Sequence, residues 1–159
     1  MTKHGFSKTH SLLDYGCGNG LFIDYLQEQG FSNSYGYDSY VPEDGFGDRT
    51  ILQNRTFDYI LLQDVIEHVE DPKVLLNELD GLLSPGGCIL IGTFNAANID
   101  LDRPNVPDSY QEVHVPYHLH LYTREYLESL GHNWSWKPIG FFDRRYDDIP
   151  WLLFNVSSG

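Results

Sequence analysis

Short apolar runs and segments of helical period take turns along this chain. The run Ser11-Leu12-Leu13-Asp14-Tyr15 predicts a first strand, and residues 21–29 place Phe22, Tyr25, Leu26 and Gln29 at helical spacing with Gly30 as the stop. Residues 31–38 supply a second strand. The near-continuous apolar run 58–63 reads as a central parallel strand covered on both faces, since a half-exposed strand would alternate. Asp71-Pro72 signals a helix start, Asp as N-cap and Pro at the first helical position, with Leu75, Leu79, Leu82 and Leu83 as its buried stripe. Pro85-Gly86-Gly87 then turns the chain into a strand over 88–94. Strands and helices alternating through short links imply an α/β fold built on a doubly wound, mostly parallel sheet. Ligands of such sheets bind outside the carboxyl ends of the strands.

Two stretches are thinner. Residues 39–56 are rich in Asp, Gly and Pro and leave no room for a full helix; only Thr50-Ile51-Leu52-Gln53 resembles a strand. Residues 95–117 are polar and carry Pro104, Pro107 and Pro116, the pattern expected of a lid beyond a central strand. Thr123 caps a short helix carrying Tyr126, Leu127 and Leu130, with Gly131 closing it. Residues 134–142 and 151–156 read as a C-terminal antiparallel strand pair around the turn 143–150. The expected whole is one domain over 1–159, a minimal Rossmann-like version with a shortened third-strand region.

Candidate chemistry starts at the first strand's end, Asp14-Tyr15-Gly16-Cys17-Gly18-Asn19-Gly20. Three alternating glycines let the chain turn sharply and bring bare backbone against a ligand. Tyr35-Gly36-Tyr37 ends in Asp38, where an open parallel sheet places an acidic residue to accept hydrogen bonds from ribose hydroxyls. A dinucleotide fingerprint would need a third glycine where Leu21 stands, and a phosphate-cradling loop would need a Gly-Lys pair that the chain lacks. NAD and nucleoside triphosphates are therefore disfavoured.

These residues resemble the class I S-adenosylmethionine-dependent methyltransferases, and the likeness covers about residues 11–131 in four segments. They are 12–20, Tyr35 to Asp38, the run from Phe57 to His68, and Leu82-Leu83-Ser84-Pro85-Gly86-Gly87. Glu67-His68 and His118-Leu119-His120-Leu121-Tyr122-Thr123 are similar to the small-molecule branch of ubiquinone-biosynthesis type. The resemblance implies S-adenosylmethionine as cofactor and a small-molecule methyl acceptor. It implies a cofactor site of Asp14 toward the ammonium, the loop Gly16, Cys17, Gly18 and Gly20 around the methionine part, Asp38 on the ribose, and Gln63 with Asp64 near the sulfur. It makes His118 the candidate catalytic base, because imidazole titrates near neutral pH. His68 reads instead as a structural hydrogen-bonding residue. Where the family carries a helix and a third strand that shape the adenine pocket, 39–56 departs, so no adenine contact is assigned. Glu112, His114, His118 and His120 are spaced neither as a zinc finger nor as His-Glu-x-x-His, and no metal is assigned. A degenerate fold serving as a binding or interaction module is the alternative, and an NAD-dependent oxidoreductase a more remote one.

Composition changes the picture only by exclusion. With 159 residues, 41% hydrophobic and 14% aromatic, the chain has material for a single core. No apolar run approaches the roughly 20 residues of a membrane span, and Met1 to His10 shows no signal-peptide pattern, so no membrane role and a cytoplasmic location are expected. A net charge of −13 argues against nucleic acid. Cys17 and Cys88 suit no staple, and Arg144-Arg145 reads as a solvated turn. Oligomeric state has no signature here.

Overall fold

Six strands form one sheet in the order β2-β1-β3-β4-β6-β5: β1 (Leu12–Tyr15), β2 (Ser34–Tyr37), β3 (Phe57–Gln63), β4 (Leu83–Gly92), β5 (Trp136–Phe142) and β6 (Trp151–Val156). The first four run parallel, whereas β6 lies antiparallel to both β4 and β5. The computed structural model describes residues 5–41, 45–100, 102, 113, 116–142 and 151–156. Among the described residues the α-helices are α1 (Leu21–Glu28), α2 (Pro72–Leu82) and α3 (Arg124–Gly131). The doubly wound α/β sheet expected from the alternation of periods is thus present, and the C-terminal pair is antiparallel as expected.

Alternation along the central strands divides the core in two. Leu13, Ile60, Leu62, Ile89 and Ile91 face α2 and α3 in the larger cluster, while Leu12, Tyr59, Leu61, Cys88 and Leu90 face Ile23 and Leu26 of α1 in the smaller one. Covered on both sides, β3 is apolar almost throughout, which is why its sequence shows no period of two. Trp136, 1% exposed, sits in the larger cluster and donates its indole N–H to Asp80 Oδ1 at 2.7 Å, fastening the start of β5 to α2.

Helix ends follow local chemistry. The Asp71 side chain accepts from the amides of Lys73 and Val74 and Pro72 opens α2, while Thr123 Oγ1 accepts from Tyr126 N at α3. Beyond α1, Gly30 takes φ 85°, and Phe31 N returns to Leu26 O at 2.9 Å, a glycine C-terminal motif.

Several expectations need correction. The buried stripe of α1 is Ile23 and Leu26, whereas Phe22 and Tyr25 are 37% and 56% exposed. Residues 50–53 form no strand: Arg49–Leu52 is a 3-10 turn, because Asp48 accepts from both Thr50 N and Thr50 Oγ1 and pulls the backbone round. Leu83 belongs to β4 rather than to the α2 stripe, and Pro85-Gly86-Gly87 is an excursion within that strand, between the pairings Phe57 to Leu83 and Tyr59 to Cys88. Gly131 does not end the helical path, which continues through the 3-10 turn His132–Trp134 and stops at Ser135, φ 58°. Tyr126 of α3 is 52% exposed, outside the stripe of Leu127 and Leu130.

Candidate active site

The chain runs outward from β1 to β2 on one side and then returns to place β3 on the other side of β1, so the strand order reverses between β1 and β3. A crevice opens above the carboxyl ends at such a point. Here it is a cavity of about 490 Å³. Tyr15 and Gly16 after β1, Asp38, Ser39 and Tyr40 after β2, and Asp64, Val65, His68 and Val69 after β3 form its walls, with Asp71, Val74, Leu75 and Glu78 at the α2 side.

Gly16, Gly18 and Gly20 take φ of 87°, 56° and 78°, the left-handed region that a side chain makes costly. Their surroundings differ. A Cβ on Gly16 would stand 2.3 Å from Val65 Cγ2 and one on Gly20 would stand 2.0 Å from Phe46 Cζ, but one on Gly18 would meet nothing within 4 Å. Gly16 and Gly20 are small because a neighbour packs on them. Gly18 alone turns bare backbone to open space.

The loop is held from β2. Gly16 N and Cys17 N donate to Tyr37 O at 2.7 and 3.3 Å, and Gly18 N donates to Asp38 Oδ2 at 2.9 Å. The other Asp38 oxygen accepts from Tyr40 N at 2.7 Å. Each carboxylate oxygen keeps a further lone pair for a ligand. Asp14, 5% exposed, receives no hydrogen bond from any described residue. Burial, reinforced by the Asp38 charge, pushes its carboxyl up to about 7. Cys17 turns its thiol under the loop toward Gly36, where a Cβ would come within 2.7 Å of Sγ, and burial pushes that thiol up to about 12. Gly16 and Asp38 line the cavity, whereas Asp14, Cys17, Gly18 and Gly20 are not on its wall.

At the end of β3, Asp64 adopts φ 52°, unusual without glycine, and its carboxylate accepts from Gln63 Nε2 at 3.0 Å. Asp64 lines the cavity and Gln63 does not. Gln63 Oε1 is buried without a partner, in space left by Gly92, where a Cβ would stand 2.3 Å away.

The 3-10 turn Ile66–His68 carries two further groups. Glu67 is 2% exposed; its backbone carbonyl accepts from Leu119 N and His120 N at 2.8 and 3.2 Å, drawing 118–120 over the start of α2. Burial raises the Glu67 carboxyl above its ordinary value, against a hydrogen bond from Thr93 that lowers it. His68 Nδ1 donates to Tyr117 O at 2.9 Å, as the sequence reading expected of a structural histidine, yet His68 also lines the cavity. His118 packs edge-to-face on His68, centroids 4.8 Å apart, and is not itself on the cavity wall. His120 turns to a separate cavity beside Lys73 and Tyr126. Glu112, His114, Arg144, Arg145 and most of the expected lid lie outside the described residues.

Val65, Phe46, Gly92 and the cavity face of His68 escaped the sequence reading, because each is defined by what packs against it. A family model described as a methyltransferase domain matches residues 4–138. The ubiquinone biosynthesis O-methyltransferase of Parvibaculum lavamentivorans is 32% identical over 100 residues, covering 52% of this chain and 40% of the relative. That of Rickettsia felis is likewise 32% identical over 100 residues, covering 53% and 41%. The chain therefore spans about two fifths of the curated relatives it matches. Among solved structures, a SAM-dependent methyltransferase from Methanosarcina mazei superposes with a TM-score of 0.71 at 14% identity, over 98% of this chain and 96% of that one. The 1,6-didemethyltoxoflavin-N1-methyltransferase of Burkholderia thailandensis, solved with 1,6-didemethyltoxoflavin and S-adenosylhomocysteine, gives 0.65 at 18% identity over 94% and 72%. At these identities the structural likeness speaks for the fold.

Proposed function

The chain belongs to the methyltransferase-domain family, and on that footing we propose that it binds S-adenosylmethionine in this cleft and transfers the methyl group to a small-molecule acceptor. One observation carries the reading: the Asp38 carboxylate on the cavity wall holds the amide of Gly18, beside which a Cβ would meet nothing, and its charge acts on the buried Asp14 carboxyl. A nucleoside with an ammonium-bearing tail needs those three features together. The relatives named O-methyltransferases support a hydroxyl acceptor. No helix among the described residues is long and apolar enough to cross a membrane. The net charge of −13 supports an acceptor other than nucleic acid, and a cytoplasmic location belongs to the same proposal.

Methyl transfer is an in-line displacement. A lone pair on the acceptor bonds the methyl carbon as the carbon–sulfur bond breaks, its electron pair returns to sulfur to leave a neutral thioether, and the acceptor loses a proton. The sulfonium is already a good leaving group, so the protein's contribution is placement and the removal of that proton. His118 is the group assigned to take it, at the acceptor end marked by His68.

Calorimetric titration with S-adenosylhomocysteine tests the reading, with micromolar binding and a raised melting temperature as the expected result. Asp38→Ala should weaken binding by about 1.5–3 kcal/mol through the lost charge-assisted hydrogen bonds. Because Asp38 also holds Gly18 and Tyr40, the same variant should melt lower without ligand. Neither heat nor thermal shift at millimolar ligand, with folded protein, would leave the binding-module alternative in its place.

A further inference from the structure

We infer that a second ligand site, separate from the cleft, lies between the start of α2 and α3 with the segment before it, and that it takes a small aromatic carboxylate. A cavity of about 590 Å³ opens there, within the range of pockets that hold small molecules. It shares only Asp71 with the wall of the cleft, so the two can be filled independently.

A row of rings lines it. The His120 and Tyr122 centroids stand 5.8 Å apart and those of Tyr122 and Tyr126 5.9 Å, with interplanar angles of 38° and 31°. Tyr122 is 3% exposed and fastened by its hydroxyl to Ile66 O, whereas Tyr126 on α3 is half-exposed. A fixed ring in the wall beside a freer one at the surface accepts a planar ring by stacking. Leu119 and Leu121, also on this wall, remain exposed, and an occupant would take their apolar surface out of water. The wall is held in place, since Leu119 N and His120 N both donate to Glu67 O.

Charge decides the rest. Lys73 stands exposed on the other side of the cavity, and its ammonium pairs with no carboxylate among the described residues. The neighbouring Asp71 carboxylate is spent on its own helix, where Oδ1 accepts from Lys73 N and Val74 N at 3.0 and 3.3 Å. Across from them His120 Nε2 is buried without a hydrogen-bond partner. Nothing in the protein rewards that nitrogen where it stands, so a carboxylate drawn to Lys73 gives the imidazole a partner to turn to. An unpaired cation, an unmet ring nitrogen and an aromatic wall together fit an anion carried on a flat apolar body.

Calorimetric titration of the full chain with naphthalene-2-carboxylate, with and without S-adenosylhomocysteine, tests the site. One equivalent should bind with sub-millimolar affinity, unaltered by S-adenosylhomocysteine. Naphthalene-2-carboxamide, the same ring without the charge, should bind at least about fivefold more weakly. Lys73→Met keeps the stem and removes the ammonium, so it should cost the carboxylate a similar factor and leave the carboxamide unchanged. Tyr126→Ala, with folding verified by circular dichroism, should weaken both probes. Lys137→Met, at an exposed lysine on β5, should change nothing. The site is overturned by absence of saturable one-equivalent binding, by displacement with S-adenosylhomocysteine, by equal affinity for the two probes, or by equal losses in Lys73→Met and Lys137→Met. Because the probe is titrated without cofactor as well, its binding stands or falls apart from the methyl-transfer reading.

Discussion

Replacing Asp14 with asparagine should raise the melting temperature of the free protein at pH 8 by roughly 10 °C, at about 2–4 °C per kcal/mol for a domain of this size, while removing most of its affinity for S-adenosylhomocysteine. The carboxyl is moved from 3.8 to about 7, first by burial and then by the Asp38 charge. Its folded pKa exceeds its unfolded one, so the group's stabilising contribution is complete below about pH 4 and is lost as pH rises through about 7. Above that, about three units at 1.4 kcal/mol each make the buried charge cost ~4 kcal/mol. Asparagine never ionises. The advantage of the variant should therefore shrink toward nothing at pH 4. Ligand affinity should move the other way: in the parent it rises with pH through about 7 as Asp14 becomes a counterion for the ammonium, and in the variant it stays flat. Melting curves and titrations from pH 4.5 to 8.5 check both. An advantage independent of pH would locate the stabilisation elsewhere.

Alanine at the first and second loop glycines should fail in opposite ways. Gly16→Ala adds a left-handed side chain at ~1–2 kcal/mol and forces a methyl to 2.3 Å from Val65 Cγ2, an overpacking of ~1–3 kcal/mol, so ~2–5 kcal/mol of stability should be lost. Val65→Ala in the same chain should restore the overpacking part. Gly18→Ala carries only the conformational cost, since its methyl meets nothing. That methyl nonetheless fills the face a ligand would approach, and S-adenosylhomocysteine should bind at least about tenfold more weakly, a loss of ~1.4 kcal/mol. Urea unfolding paired with calorimetry measures the contrast. Parental affinity in Gly18→Ala would mean that the ligand does not touch this backbone.

What was legible in the sequence is what neighbouring residues decide. Asp71-Pro72 caps α2, Gly30 stops α1, the apolar run of β3 is buried on both faces, and Asp38 does meet the glycine loop. Where two local patterns competed, sequence could not choose. Phe22 with Tyr25 and Ile23 with Leu26 share one helical spacing, and packing over the sheet buries the second pair. The composition of 50–53 suits a strand, but the Asp48 carboxylate claims the Thr50 amide first. Histidines close in sequence at 114, 118 and 120 drew attention as a possible metal set, while His118 packs against His68, far away along the chain. Convergence of that kind is set by the Glu67 carbonyl, which binds the amides of Leu119 and His120. No spacing rule records it.

The position of β6 bears on how the chain is made. It follows β5 in sequence yet lies between β4 and β5, so β5 has no seat in the sheet until β6 has been synthesised. Throughout that interval the growing chain presents the apolar stretch Cys88 to Ile91 as an open edge, the kind of surface that recruits other nascent chains. The antiparallel partners β5 and β6 can close on each other first and then dock as a ready-made pair along β4. A ribosome pausing between residues 142 and 151 would hold the molecule at its most aggregation-prone moment.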